Sequence, residues 1–405
     1  MLRTARDEVR KNYYDPTFHG IDLDARFRTF DSGIDNAKNT GDIFTVVAAF
    51  LAGFKDSHLF FEPPSRTTKY EPGYEMRIIG DRCFVTNVKP KSSAAAQLHP
   101  GDEILSLNGF ALARRDMSDA EYYFRLLAPR TVDRLEILTP DGTKRTVDVQ
   151  EKTKIDRKIV DLSDLLNDAD LWNLLRHGED AEYLERERVF KSNSAVIWKM
   201  ASFHLERDKL GAIMSDVKKR SALILDLRGN PGGYTSSLQQ VLGEFFDHDV
   251  KIADRVMRKP GKPEIAKHWT LTGKPFAGKL IVLVDSGSGS SAELFARVVQ
   301  LEHRGTVIGD HTAGEVMEAR NYGEQIGADT AIYYGFSITD ANLIMADGKS
   351  LEGTGVTPDE LILPTPADLA AGRDPVLARA TELAGDPITP EAAGRLFPYE
   401  WASEY

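Results

Sequence analysis

The sequence predicts a multidomain α/β protein, on three observations. The chain has 405 residues, more than one ordinary hydrophobic core organises. From Ser194 onward, short apolar strands alternate with amphipathic helices, the pattern of helices packed on a largely parallel sheet. A helical stretch and then a run of short strands come before that alternation, so the α/β core carries two further units.

Residues 1–66 read as an N-terminal helical segment. Ile43, Phe44, Val46, Val47, Phe50, Leu51 and Phe54 form an apolar stripe at helical spacing, and Pro63-Pro64 closes the stretch. The chain begins almost inside a helix with no cap, which fits a mature chain whose leader is missing. Export or a periplasmic location is therefore expected over the cytoplasm.

Residues 67–151 read as a small β-rich module. MRIIG, RCFVTNV, EILSL, RLEIL and KRTVDV are punctuated by Gly80-Asp81, Pro100-Gly101-Asp102, Asn108-Gly109 and Pro140-Asp141-Gly142. Helices are expected at 93–98 and 118–127, with Ser118 and Glu121 at capping-box spacing. Residues 152–193 are acidic and read as a helical linker or cap. In the core, 194–405, strands AVIWKM, ALILDL, LIVLV and TVIGD alternate with helices near 205–219, 236–246 and 292–301, and strands AIYYGFSI and NLIMA follow.

Composition narrows the function. No apolar run approaches the roughly 20 residues of a membrane helix. A net charge of -11 without a long basic face argues against nucleic acid. The single Cys83 lies in an apolar strand pattern and reads as a buried structural thiol. Nine histidines include no HExxH pair and no Cys/His metal spacing, so no metal and no cofactor are expected.

The most informative segment is KLIVLVDSGSGSSAE, Lys279 to Glu293. A buried strand runs through a Gly/Ser turn into a helix, whose first N–H groups point back at the turn. Such N–H groups hold an anion or an oxyanion. One reading is dinucleotide binding: Gly287-x-Gly289-x-x-Ala292 follows a strand, and Asp310 falls near the expected acidic position. The other is a serine nucleophile among Ser286, Ser288, Ser290 and Ser291, none of which fits the G-x-S-x-G elbow. A helix N-cap is the commoner role for any one of them. A second glycine-rich strand end, Arg228 to Gly233, offers further N–H groups. His58, at the end of an apolar helix, is the candidate base, although a helix-terminal histidine is the commoner role.

Four segments, in order and spanning nearly the whole chain, resemble the tail-specific, or C-terminal-processing, serine peptidases. They are Asp56-Ser57-His58, LILDLRGNPGG, SGSGSSAELFA and SLEGTGVTPDELI, and residues 76–110 look like a PDZ domain. The resemblance implies a crotonase-like ββα core and places the nucleophile at Ser290. Most of the family uses a lysine base about 25 residues on; here that place holds Glu315, and HTAGEVMEA has no lysine. The branch resembling the tricorn protease core uses Ser-His-Ser-Glu, which implies Ser57, His58, Ser290 and Glu352, with Glu315 and Glu318 as rivals to Glu352. The oxyanion donors implied are the N–H groups of Ser291 and Gly232, or of the neighbouring Gly233. The peptide-binding loop implied is Gly73-Tyr74-Glu75-Met76, where Glu75 departs from the usual small residue and would repel a carboxylate.

The function expected is thus a serine endopeptidase acting on peptides or unfolded proteins, with a homo-oligomer open to its exposed sheet edges. The alternatives are an inactive peptide-binding scaffold of the same family and a nucleotide- or acyl-CoA-binding protein.

Overall fold

The computed structural model describes residues 1–401 apart from 65, 67, 156–186, 260–261, 268–272 and 328–331. Its centre is a six-stranded sheet. Strands Ala195–Lys199, Ala222–Asp226, Lys279–Val284, Thr306–Gly309 and Glu360–Leu361 run parallel in that order, and Arg188–Lys191 adds an antiparallel edge. The first four parallel strands are apolar on both faces because both faces are covered, whereas the two edge strands are largely exposed. Val196, Trp198, Leu223, Leu225, Val282 and Val284 pack with helices Arg207–Val217, Thr235–Gly243 and Ser291–Leu301. Ala195, Ile197, Ile224, Ile281 and Leu283 pack with helix Pro375–Ala384.

A second, antiparallel sheet joins the N-terminal segment to this core. Helices Leu2–Asn12, Leu23–Ile34 and Thr40–Ala52 lead into strand Phe60–Glu62, which pairs with Gly335, Phe336 and Ser337. Leu51, Phe54 and Phe61 share one apolar cluster with Tyr334, Phe336 and Ile338. The sequence read AIYYGFSI and NLIMA as two strands; they are one, Ile332–Met345. Of the intervening residues, Thr339 pairs with Ala319 and Ala341 with Glu318, while Asp340 is the extra residue of a bulge in the long strand.

The β-rich module orders its strands Tyr74–Ile79, Arg82–Val88, Glu103–Leu107, Val132–Leu138 and Lys144–Gln150, with Phe110–Ala111 pairing off the third. Tyr74–Ile79 is therefore an edge strand. The helical segment over 117–127 is present, but the Ser118–Glu121 capping box is not formed. Asp116 is the N-cap residue, which puts Ser118 inside the first turn, and its hydroxyl bonds Glu315 across the module boundary.

Between module and core, Lys152–Ile155 pairs with Thr68–Glu71 as a strand. Most of the expected helical linker, 156–186, lies outside the described residues. No described helix is long and apolar enough to cross a membrane.

Candidate active site

The pairing of Phe60–Glu62 with the long strand carries residues 56–58 to the edge of the core. There Ser57 meets Glu352, 295 residues away in sequence. The Ser57 amide donates to Glu352 Oε1 and its hydroxyl to Oε2, both at 2.9 Å. Val316 N–H also donates to Oε2, at 2.8 Å. His58 Nδ1 lies 2.8 Å from Ser57 Oγ.

This chain fixes the histidine tautomer. An ionised carboxylate only accepts hydrogen bonds, so Ser57 gives its single proton to Glu352. Ser57 Oγ can then only accept from His58, which puts the imidazole proton on Nδ1 and leaves the lone pair on Nε2. Burial pushes the imidazole below its ordinary 6.5, against the pull of Asp56 and Glu315. Burial also raises the Glu352 carboxyl, while its donated hydrogen bonds hold it down.

Of the four serines in the Gly/Ser turn, three have their hydroxyls bound to carbonyls. Ser286 donates to Ile78 O, Ser288 to Leu227 O and Ser291 to Gly233 O. Ser290 stands at the helix start with φ 49° and ψ −117°. A non-glycine residue held there stores roughly 1–3 kcal/mol of strain and persists only where its surroundings fix it. Here Glu293 fixes it. Its fully buried carboxylate accepts from the amides of Ser290, Gly314 and Glu315 and from the Thr312 hydroxyl. Burial still pushes this carboxyl up to about 7. Among the described hydrogen bonds, none joins Ser290 Oγ to His58.

The glycine turn lies against the same place. A Cβ at Gly232 would stand 2.6 Å from Ser290 Cβ and 3.0 Å from Ser291 N. Asn230 shapes the turn, accepting from Gly232 N–H at 2.9 Å while its own amide donates to Met200 O. The Gly232 N–H is thus engaged, whereas no described hydrogen bond occupies the N–H of Gly233 or Ser291.

In the β-module, Gly73 has φ +74° and precedes the edge strand. Tyr74 turns inward, bonding Asp133 and Arg125, so its ring is core. Met76 packs against the module's own core, and the Glu75 carboxylate accepts from Tyr399. The strand abuts the core through an ion pair between Arg77 and Asp285. A cavity of about 390 Å³ opens beside them, lined also by Lys199, Arg228, Asp374 and Phe397.

The dinucleotide reading fails on this geometry. Asp285 Oδ1 takes the N–H groups of both Gly287 and Gly229, so a carboxylate fills the place of the pyrophosphate. Asp310 is engaged by Arg114 and the Gly80 amide rather than facing a ribose. The rivals to Glu352 are also placed: Glu318 pairs with Arg255, and Glu315 bonds Ser118. Sequence reasoning gave no role to Asn230 or Asp56. For Asn230 the signal was an Asn-Pro-Gly turn at a strand end; for Asp56, a carboxylate two residues before the histidine.

The fold is an α/β core carrying a β-rich module, and the site brings a Glu-Ser-His chain to the same core as a Gly/Ser turn at a helix start. Residues 195–362 match the model of Peptidase family S41 and residues 68–121 that of the PDZ domain. The chain is homologous to carboxy-terminal-processing and tail-specific proteases. It is 27% identical to carboxy-terminal processing protease CtpB of Bacillus subtilis over 239 residues, 58% of this chain and 44% of that protein. It is 25% identical to the tail-specific protease of Haemophilus influenzae over 337 residues, 78% of this chain and 45% of that protein. The chain thus spans less than half the length of these relatives. Among solved structures, mature CPAF shares the fold with a TM-score of 0.66 at 15% identity, covering 91% of this chain and 93% of that one.

Proposed function

We propose that this protein is a serine endopeptidase in which Ser290 attacks the peptide carbonyl and His58 is the general base. The observation that carries the reading is the Glu352–Ser57–His58 chain, which leaves the Nε2 lone pair as the basic site. Neutral His58 takes the Ser290 proton during attack and returns it to the leaving amine. Ser57 and Glu352 orient the ring and stabilise the imidazolium that forms, as the third member of a triad does. The relay thus resembles the Ser-His-Ser-Glu arrangement rather than a Ser-Lys dyad.

The oxyanion falls to the Ser291 N–H and to the glycine turn. Because Asn230 occupies the Gly232 N–H, Gly233 is the readier second donor. One such donor is worth roughly 3 kcal/mol. The PDZ domain holds substrate by strand addition at 74–79. Glu75 disfavours a free carboxylate there, so an internal segment of an unfolded protein is the substrate class proposed.

The test is cleavage of unfolded casein and a fluorogenic peptide library by the native chain and by Ser290→Ala. Cleavage lost in a variant that keeps its circular dichroism supports the reading. Cleavage retained moves the nucleophile elsewhere, and no cleavage by either protein favours the inactive peptide-binding scaffold.

A further inference from the structure

Next to the relay, and outside it, lies a second polar hub centred on Asp56. Its Oδ1 accepts from the His58 backbone amide at 3.0 Å and from the Thr339 hydroxyl at 2.7 Å. Its Oδ2 accepts from the Tyr13 phenol at 2.9 Å. The three donors come from three parts of the fold: the turn itself, the long strand of the second sheet, and the end of the first helix. We propose that Asp56, gripped by Tyr13 and Thr339, is the positioning residue that holds His58 in its working orientation. The proposal rests on the reading of His58 as the base.

Three features support it. The Asp56-to-His58 bond closes an Asx-type turn, which fixes the backbone between them and so the direction in which the imidazole leaves the chain. Lys55, just before it, sits at φ 53°, a conformation a lysine keeps only when the contacts around it dictate the backbone. Tyr13 is itself fully buried and clamped: its hydroxyl lies 3.0 Å from His19 Nε2, and its carbonyl receives the Arg258 guanidinium. The next residue, Tyr14, donates its amide to Thr339 O at 2.9 Å, so both anchors of Asp56 are tied to each other. The first helix thus reaches the base through a rigid chain of contacts.

Asp56 also sets the charge around the ring. The groups facing this place are Tyr13, Tyr14 and Asp15 from the helix end, Glu315 from the loop after strand Thr306–Gly309, and Glu352. Asp56 is the largest of the acidic influences that favour protonated His58. Its removal leaves Glu315 and Glu352 in place, so the imidazole should become less basic.

The experiment compares Asp56→Asn and Tyr13→Phe with the native chain. The His58 imidazole is titrated by NMR, with His58→Gln assigning its signal, and kcat and KM are measured across pH. For Asp56→Asn we expect the His58 titration and the acid limb of kcat/KM to move together to lower pH. We also expect kcat to fall roughly tenfold to a hundredfold with KM within about twofold. For Tyr13→Phe we expect a several-fold loss of kcat with KM held. Variants that lose only thermal stability, with the native titration and kcat, would overturn the proposal. Should Asp56→Asn not fold, Tyr13→Phe decides through the kcat-against-KM split. If Ser290→Ala still cleaves, or neither protein does, the proposed role of Ser290 fails, while the His58 titration still decides whether Asp56 governs that ring.

Discussion

Ser290 and Glu352 are held by the two ends of one peptide unit. The Ser290 amide donates to the carbonyl of Glu315 at 3.0 Å, and the amide of Val316 donates to Glu352 Oε2 at 2.8 Å. That C=O and that N–H belong to the same planar group, so the distance between the Ser290 turn and the Glu352 carboxylate cannot drift freely. Each bond also polarises the unit in the sense that strengthens the other. Glu293 fastens the same loop from the other side through Gly314 and Glu315.

Replacing Glu352 with Gln should reverse the relay. The new amide can donate to Ser57, whose proton then turns to His58 Nδ1 and moves the ring proton to Nε2. The base is then blocked, and the bond from Val316 N–H to that position is lost with it. A comparable tautomer error costs about 10⁴ in kcat in a serine-protease triad, and a fall of roughly 10³-fold or more is expected here, with KM little changed. Steady-state kinetics on a fluorogenic peptide check it, and a variant within tenfold of native kcat would remove Glu352 from the relay.

Gly232→Ala should separate folding from catalysis. Gly232 has φ +104°, and its added Cβ would meet Ser290 Cβ at 2.6 Å and Gly289 O at 3.0 Å. Backbone atoms cannot step aside as a flexible side chain does, so the nucleophile turn must shift. A displacement of the order of 1 Å at the reacting groups costs roughly 100-fold in rate. The core strands beneath are untouched. Labelling by a fluorophosphonate should slow by a similar factor, while circular dichroism stays native.

Four strands of the parallel sheet were legible because they are apolar on both faces; the fifth, Glu360–Leu361, is short, with an exposed leucine, and was not. The last N-terminal helix was legible from one stripe, and the role of Ser57 beside His58 came only through the family resemblance. What sequence could not supply was the partner of each group across hundreds of residues. The Asp56 hub needs Tyr13 and Thr339, which stand in no motif. The engagement of Gly232 by Asn230 depends on a side-chain rotamer. The Ser118–Glu121 spacing misled because the helix begins two residues earlier than the spacing implies, and local spacing does not fix a helix start. The dinucleotide spacing misled for another reason: Asp285, which argues against an anion there, fills the turn with its own carboxylate.

Glu293 should give the nucleophile turn a pH-dependent stability. Its carboxyl titrates near 4.5 when exposed and is pushed up to about 7 in the fold. Between those values the native state binds more protons than the unfolded chain, so stability falls as pH rises from about 4.5 to about 7. The full effect is on the order of 3 kcal/mol. His58, whose pKa is lowered, acts in the opposite sense: its share of stability is lost as pH falls below 6.5. Urea unfolding at a series of pH values reads the sum. Glu293→Gln should remove the part lost between pH 4.5 and 7 and leave the part lost on acidification; an unchanged slope would show that Glu293 titrates normally.

Arg77 should bind the PDZ domain to the core. It forms an ion pair with Asp285, whose other oxygen receives the amides of Gly229 and Gly287. Asp285 is 12% exposed at its side chain, but Arg77 is 39% exposed. Breaking a fully buried pair costs about 3–5 kcal/mol because a charge is left uncompensated. Water reaches this one, so Arg77→Met should cost less, roughly 1–3 kcal/mol. Asp285 begins the turn that presents Ser290, so the loss reaches the site as well as the interface. Tyr399→Phe removes the exposed bond to Glu75 and should cost under about 1 kcal/mol. Limited proteolysis between PDZ domain and core should therefore quicken in Arg77→Met and stay near native in Tyr399→Phe. Equal proteolysis of both would place the clamp elsewhere, for instance on Arg114 and Asp310, another ion pair that joins the two units.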